Sequence, residues 1–481
     1  MFLCCWLVLV ALTHISSSTN PGAQVKLTEK GLEYARQIGM ARIQQELQRI
    51  SIPDISGTQQ VSRVGKVQYS LSNMQIVNVA LPQSLVTLVP NVGVRLNIPG
   101  AFVSMVGNWW VRYLRVIKAS GSFTLSIYAL NIQTNVAITS DDTGRPVVNS
   151  VNCAASVGRV GIKFYGGASW LYNLFHKFVE HAIRRALEAR ICPSMGTAVS
   201  GLNPQLQKLN VIAKVDKFAE IDYSMVSAPS ISSSAITLNL KGQFYNIGKR
   251  QEPPFSPAAF SLPPQRDNML YMGISPFTGN SAGFVYNTAG ALSINITADM
   301  IPKDFPLPLT TESLGIFIPK RFKQEVLLQV AELHPNLNVQ LRVENEKWPN
   351  IIYNNNVMVK TTVTMTAYAV QNNGGLSPLF VLNVNASASV NLSISGMKLV
   401  ANFILDKMTF SLNTSYIGNI RVHSFAGTLQ QMLSLVAIPK INEKLKWVCP
   451  LPTLGKVALL NTQLRVLKDY VLIGTDVAFD G

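Results

Sequence analysis

The chain has 481 residues, 48% of them apolar and only 14% charged, with a formal net charge of +16. So much apolar material excludes a disordered chain, and the length points to two or more domains. The charge is uneven: residues 20–250 carry 24 Lys/Arg against 11 Asp/Glu, and residues 251–481 carry 17 against 14, as expected when one domain meets an anionic partner.

Residues 1–18, MFLCCWLVLVALTHISSS, hold an apolar run over 2–12 and then small polar residues. This is the pattern of a secretory signal, although its start lacks a positive charge, and cleavage is expected within 16–20. The run is too short to span a bilayer, and no later segment has about 18 uninterrupted apolar residues. A signal over 1–19 and a soluble, secreted mature chain, extracellular or stored in secretory granules, are therefore expected.

The first helix is expected over 28–50, where Leu32, Ala35, Gly39, Ile43, Leu47 and Ile50 recur at three- and four-residue steps. Thr28 suits its N-cap and Pro53 lies past its end. Residues 60–165 then alternate Val and Ile with Ser, Thr and Asn, which reads as long antiparallel sheet with one wet face; Phe123, Leu125 and Ile127 share the other. Within it, NWWVRYLRVIKASG (108–121) sets Trp109 and Trp110 beside Arg112, Arg115 and Lys118, with no acid. Aromatic and cationic groups side by side call for a partner that is both apolar and anionic: nucleic acid, a membrane or a single lipid.

A second helix is expected over 170–191, with Leu171, Leu174, Phe178, Ala182, Ile183, Ala186 and Ile191 on one stripe and Lys177, Arg184, Arg185 and Arg190 opposite. Five prolines within 250–265 mark an extended, stiff connection. The domains expected are thus 20–248 and 269–481, with a linker over 249–268. The second half repeats the ingredients of the first: a helix opening at 309–314, strands over 337–423 including 357–370, and a helix over 425–447. That last helix ends at Cys449-Pro450, much as the earlier one meets Cys192-Pro193, a hint of duplication. Without the signal, Cys153, Cys192 and Cys449 remain. A Cys153–Cys192 bridge is the economical pairing in an oxidising compartment, leaving Cys449 as a buried thiol or an intermolecular link. Sequons at Asn295, Asn385, Asn391 and Asn413 fit a secreted glycoprotein and all lie in the less charged half.

Catalytic signatures are missing from the sequence. It has no G-x-S-x-G elbow, no Walker loop and no H-E-x-x-H, and His176 and His181 stand five apart rather than four. The single Asp142-Thr143-Gly144 lacks the second copy that a paired-carboxylate protease needs and reads as a turn. We therefore expect no enzyme, no cofactor and no metal. Dispersed charge without a recognisable module also argues against nucleic acid.

A set of short stretches resembles the family of bactericidal permeability-increasing protein and lipopolysaccharide-binding protein. They are NPG (20–22), KGLEYA (30–35), IPD (52–54), VPNVG (89–93), LFHKFVEHAIR (174–184), KGQFY (241–245), PPFSP (253–257), DMIPK (299–303), INEKL (441–445) and PLPT (450–453). The resemblance runs collinearly over about 460 residues. It implies an α+β fold: an elongated boomerang of two similar barrel-like domains, each a twisted antiparallel sheet wrapped on long helices, joined by a central antiparallel sheet. It also implies a phospholipid in an apolar pocket of each half, and a disulfide at Cys153 and Cys192.

Residue by residue, Arg49, Arg63 and Lys66 match or neighbour the family's basic positions in one region of the N-terminal tip. Arg115 and Lys118 match in the aromatic-basic hairpin, with Arg112 nearby and with Trp109, Trp110 and Tyr113 suited to a headgroup boundary. Ser51, Gln60, Ser62, Trp109 and Val111 depart from basic family positions, so the tip is less cationic than in strongly bactericidal members. The implied function is lipopolysaccharide binding at the Gram-negative outer membrane, with lipid transfer or carriage as the alternative. The implied state is a monomer, or a dimer through Cys449.

Overall fold

Alternating apolar residues build one long sheet in each half of the chain, and a third sheet between them draws strands from both. The structure is a computed structural model. It describes residues 20–479 except 62–64, 114–116, 167–168, 303–304, 306–307, 315–335, 419, 446–447 and 453–456. The signal expected over 1–19, Arg63 and Arg115 therefore lie outside the described residues.

The central sheet runs Ser230–Ile231, Ala235–Leu240, Ala23–Thr28, Leu270–Ile274, Val471–Phe479 and Val457–Val466 in spatial order. Its strand Ala23–Thr28 pairs on one side with the first half (Ala23 opposite Leu240) and on the other with the second (Ala23 opposite Ile274). The NPG glycine makes this junction possible. A Cβ on Gly22 would fall 2.4 Å from the Lys241 carbonyl oxygen, and the Gly22 carbonyl accepts from Ser275 Oγ at 2.8 Å and Thr278 Oγ1 at 3.1 Å.

The N-terminal sheet is a set of long antiparallel strands in the order Ile55–Val61, Gly65–Ala80, Gly93–Tyr113, Ile117–Ser140 and Pro146–Ser156. Two helices fill its concave side: α1 (Glu29–Gln48) and α2 (Ser169–Ser200). Thr28 caps α1 as its sequence suggests, accepting from the Gly31 N–H. Phe123, Leu125 and Ile127 all face inward and are buried. They meet a seam on α2 made by Val179, Ile183, Leu187, Ile191 and Met195.

Two expectations for α2 change. Phe178 lies on the exposed side, because the buried seam follows strict four-residue steps from Val179. The helix also does not stop at Cys192-Pro193 but continues to Ser200, with Pro193 inside it. Proline costs a helix one backbone hydrogen bond, and the buried Met195, Ala198 and Val199 beyond it keep the chain in register against the sheet. Cys192 is bonded to Cys153 with a Cα–Cα distance of 5.7 Å, tying α2 to the Pro146–Ser156 strand.

The C-terminal sheet is ordered Ile294–Ile296, Val339–Asn345, Val357–Val370, Leu376–Ser395, Lys398–Ser415 and Val448–Pro450. A buried helix, α3 (Pro276–Thr288), packs beneath the central sheet, and α4 (Ala426–Leu445) covers the inner face of the C-terminal one. The strand expected over 357–370 appears with those bounds. The proline-rich connection has no regular structure but is docked along its length. Lys26 Nζ donates to the Pro263 carbonyl at 2.7 Å, Asn20 Nδ2 to the Pro257 carbonyl at 3.1 Å, and the Phe255 ring sits 5.8 Å from that of Trp348.

Candidate functional site

The aromatic-basic stretch forms the end of the hairpin between Gly93–Tyr113 and Ile117–Ser140, where Arg112 stands opposite Lys118. On the neighbouring strand Gln68 stands opposite Arg112, and beyond it Thr58 opposite Gln68. Arg112 and Lys118 therefore belong to one row across four strands. Lys66 lies two residues nearer the end of the sheet, opposite Gln60. Lys66 and Lys118 are exposed and Arg112 is half-exposed.

Trp110 shares the outer face with this row and is 44% exposed, whereas Trp109 is only 2% exposed. The expectation that both tryptophans meet the partner is corrected for Trp109. Neighbouring residues of a strand point to opposite faces, so one of the pair must enter the core. The Trp109 indole N–H reaches the carbonyls of Ser122 at 3.1 Å and Tyr165 at 3.2 Å, and its ring meets Phe164 edge-on at 5.7 Å. Gly121 leaves room for it: a Cβ there would fall 1.9 Å from the Tyr165 carbonyl oxygen.

Arg49 does not join the row. It follows α1, where Nη1 pairs with Glu46 at 3.2 Å, and its chain enters the Ile55–Val61 strand at the end opposite Lys66, about 17 Å along that strand. One signal was readable and stronger than the local motif: the sequence contains no carboxylate between Asp54 and Asp141. The whole outer face of the N-terminal sheet is thus free of acids that would neutralise its cations.

The other candidate is an apolar cavity of about 170 Å³ in the C-terminal half, between its sheet and α4, lined by Val363, Met365, Val384, Met408, Leu433 and Ile441 among others. Ala386 and Ala388 also line it; opposite Thr361 and Val359, they leave space where larger residues would fill the sheet-to-helix gap. In the N-terminal half a small apolar space of about 10 Å³ lies between Leu47, Val103, Ile127, Leu187 and Ile191.

Cys449 is buried and lies 3.4 Å from the Tyr223 hydroxyl, which donates to the Pro450 carbonyl at 2.8 Å. Burial pushes its thiol up to about 11. A dimer linked through Cys449 is incompatible with this position. All four sequon asparagines, Asn295, Asn385, Asn391 and Asn413, are exposed on strands of the C-terminal sheet. Asp141 caps a turn, accepting from Thr143 N at 2.9 Å, Thr143 Oγ1 at 2.7 Å and Arg145 N at 2.8 Å. These bonds, the Thr143 side chain's first, hold its carboxyl below the usual range. Among the described residues no group of three or more His, Cys, Asp or Glu is placed to hold a metal, and no helix is long and apolar enough to cross a membrane.

Two helix-backed antiparallel sheets sharing a central sheet define a two-domain α+β protein with an acid-free basic surface on one half and an apolar cavity in the other. The model for the N-terminal domain of the LBP / BPI / CETP family matches residues 31–208, and that for its C-terminal domain matches 213–479. The chain belongs to this family. It is 59% identical to the bactericidal permeability-increasing protein of Sebastes schlegelii over 482 residues, covering all of both chains. It is 31% identical to human lipopolysaccharide-binding protein, covering 98% of this chain and 96% of that one. A crystal structure of lipopolysaccharide binding protein superimposes with a TM-score of 0.63 at 28% identity, over 96% of this chain and 99% of the other.

Proposed function

We propose that this is a secreted protein of innate immunity that binds lipopolysaccharide through the outer face of its N-terminal sheet. The observation that carries this reading is the row of Arg112 and Lys118 with Lys66 beside it, next to exposed Trp110, on a sheet without a single acid. Guanidinium and ammonium groups suit the phosphates of lipid A, and Trp110 suits the boundary between headgroup and acyl chain, whereas Tyr113 packs against the core on the Trp109 face. Each cation near an anionic surface is worth about 1 kcal/mol, less in salt, so the three described ones supply roughly 3 kcal/mol, enough to dock and orient but not to extract a lipid. Arg63 and Arg115, which the sequence sets between the paired strands of the same two hairpins, would add to this set.

The apolar cavity supports the second part of the reading, carriage of phospholipid. Its 170 Å³ is below the roughly 300–1,000 Å³ of a pocket that encloses a drug-sized ligand, so holding an acyl tail requires α4 to move outward. Pro439 lies inside that helix and is the natural place for it to bend. Burying hydrocarbon at about 0.8 kcal/mol per methylene then supplies the affinity that surface charge cannot.

The test is the triple variant Lys66→Gln/Arg112→Gln/Lys118→Gln, titrated with lipid A at physiological salt. Binding should weaken by about tenfold or more, with thermal stability unchanged because none of the three is buried. Unaltered affinity would show that the outer face is not the docking surface. Retained phospholipid in native mass spectrometry of the same variant is expected, since the cavity lies in the other half.

A further inference from the structure

A second cationic feature lies on the C-terminal half, far in sequence from the N-terminal patch. It is a polar groove of about 690 Å³ on the outer face of the C-terminal sheet, lined by Lys347, Trp348, Lys360, Asn385, Ser387 and Lys407 among others. The strand register sets its floor. Lys360 stands opposite Ser387 and Ser387 opposite Lys407, so two lysines flank a serine across three strands, about 10 Å apart. The adjacent row is Thr362, Asn385 and Thr409. Lys347 and Trp348 form the wall, and all three lysines are exposed.

Glu346 also lines the groove and accepts from Thr364 Oγ1 at 2.6 Å, and Asp406 beside it accepts from Ser389 Oγ at 2.8 Å; the three lysines outnumber these acids and leave the groove net cationic. Trp348 is half-buried and wedged against Phe284 at 5.4 Å and Phe255 at 5.8 Å, which makes it a fixed aromatic surface. The apolar cavity lies mostly behind the same sheet, but Thr361 and Ala386 line both spaces, so the two adjoin at that point.

We propose that this groove binds an acidic oligosaccharide, and that a glycan attached at Asn385 closes it. A pyranose ring presents an apolar face that stacks on an indole and hydroxyls that pair with Ser, Thr and Asn side chains, while its sulfate or phosphate groups take the lysines. A lipid phosphate alone would leave the Trp348 wall and the hydroxyl rows without a role. Asn385 heads the sequon Asn385-Ala386-Ser387 and stands in the floor, so the first sugars of a glycan there occupy the space a free ligand needs. The site is independent of the N-terminal patch.

The experiment uses the full chain and two probes: a sulfated hexasaccharide, and a lipid-free phosphorylated oligosaccharide from a bacterial envelope. Binding is followed by the emission of Trp348, identified by loss of the signal in Trp348→Phe. The variant Lys347→Gln/Lys360→Gln/Lys407→Gln should bind about tenfold or more weakly at physiological salt, the scale of three screened contacts, with an unchanged melting temperature. Asn385→Gln should bind more tightly than the protein glycosylated at that site. The probe that binds more tightly identifies which acid group the groove prefers. Unchanged affinity for both probes in the lysine variant overturns the proposal, as does a signal that survives Trp348→Phe. An equal loss against sugar-free anionic vesicles overturns the saccharide assignment. Lys66→Gln/Arg112→Gln/Lys118→Gln serves as the control: it should leave the Trp348 signal intact even if it abolishes lipid A binding, so either conclusion can fail without the other.

Discussion

The two halves share an architecture and divide the properties between them. The N-terminal half is basic and stapled by Cys153–Cys192. The C-terminal half is nearly balanced in charge, carries every sequon, and keeps an apolar cavity under a helix that, like α2, contains a proline. Its one described cysteine is a reduced, buried thiol. A strong charge field suits a rigid surface, because the cations must keep their spacing to act together. A lipid-holding cavity suits a helix that can shift, because hydrocarbon must enter. The central sheet lets both demands be met in one molecule, since Ala23–Thr28 is hydrogen-bonded to strands of each half.

The sharpest way to break this contrast is within the tryptophan pair. Trp109→Ala should destabilise the N-terminal half by about 3–5 kcal/mol, as expected for a fully buried aromatic. Trp110→Ala should change stability by no more than about 0.5 kcal/mol while weakening lipid A binding. Urea unfolding followed by near-UV circular dichroism checks the first, and equal effects would mean that the hairpin has no inner and outer face. Next in size, Cys153→Ser/Cys192→Ser should cost the N-terminal half about 3–4 kcal/mol on the chain-entropy account, whereas native Cys449 should resist maleimide at pH 8 until the protein unfolds. Rapid labelling of Cys449 in the folded protein would contradict its burial.

A smaller effect sharpens the cavity. Ala388→Leu should fill it at a cost of about 1–3 kcal/mol and abolish phospholipid retention in native mass spectrometry, leaving lipid A binding by the other half unchanged. The smallest concerns the ion pair that joins the halves, Lys30 Nζ to Asp476 at 2.9 Å. Burial raises the Asp476 carboxyl, but hydrogen bonds from Lys30 and the Met269 N–H outweigh it and hold it below its ordinary value. A depressed carboxylate stabilises the fold fully above its unfolded value, near 3.9, and the contribution is lost as pH falls through the folded value. Asp476→Asn should therefore cost no more than about 1 kcal/mol at neutral pH and flatten the loss of stability below about pH 4, as read from thermal melting.

Much of this was legible in the residues. The period of Leu32, Leu47 and Ile50 and the cap at Thr28 located α1, and the alternation over 357–370 located a strand to the residue. Local rules were enough there because each residue's neighbours along the chain are also its neighbours in the element. Alternation also separates Trp109 from Trp110, since neighbouring residues of a strand face opposite sides. Pro193 defeated a local rule, since packing around Met195 outweighs the lost hydrogen bond.

The sequence by itself determined the elements, the uneven charge and the family, because composition, periodicity and collinear motifs are properties of the chain. Only the tertiary structure decided which cations share a row, that Cys449 is sealed behind Tyr223, and that Ala386 and Ala388 face a cavity rather than a packed core. Register, burial and empty volume arise between segments far apart in the chain, and no local pattern encodes the distance between them.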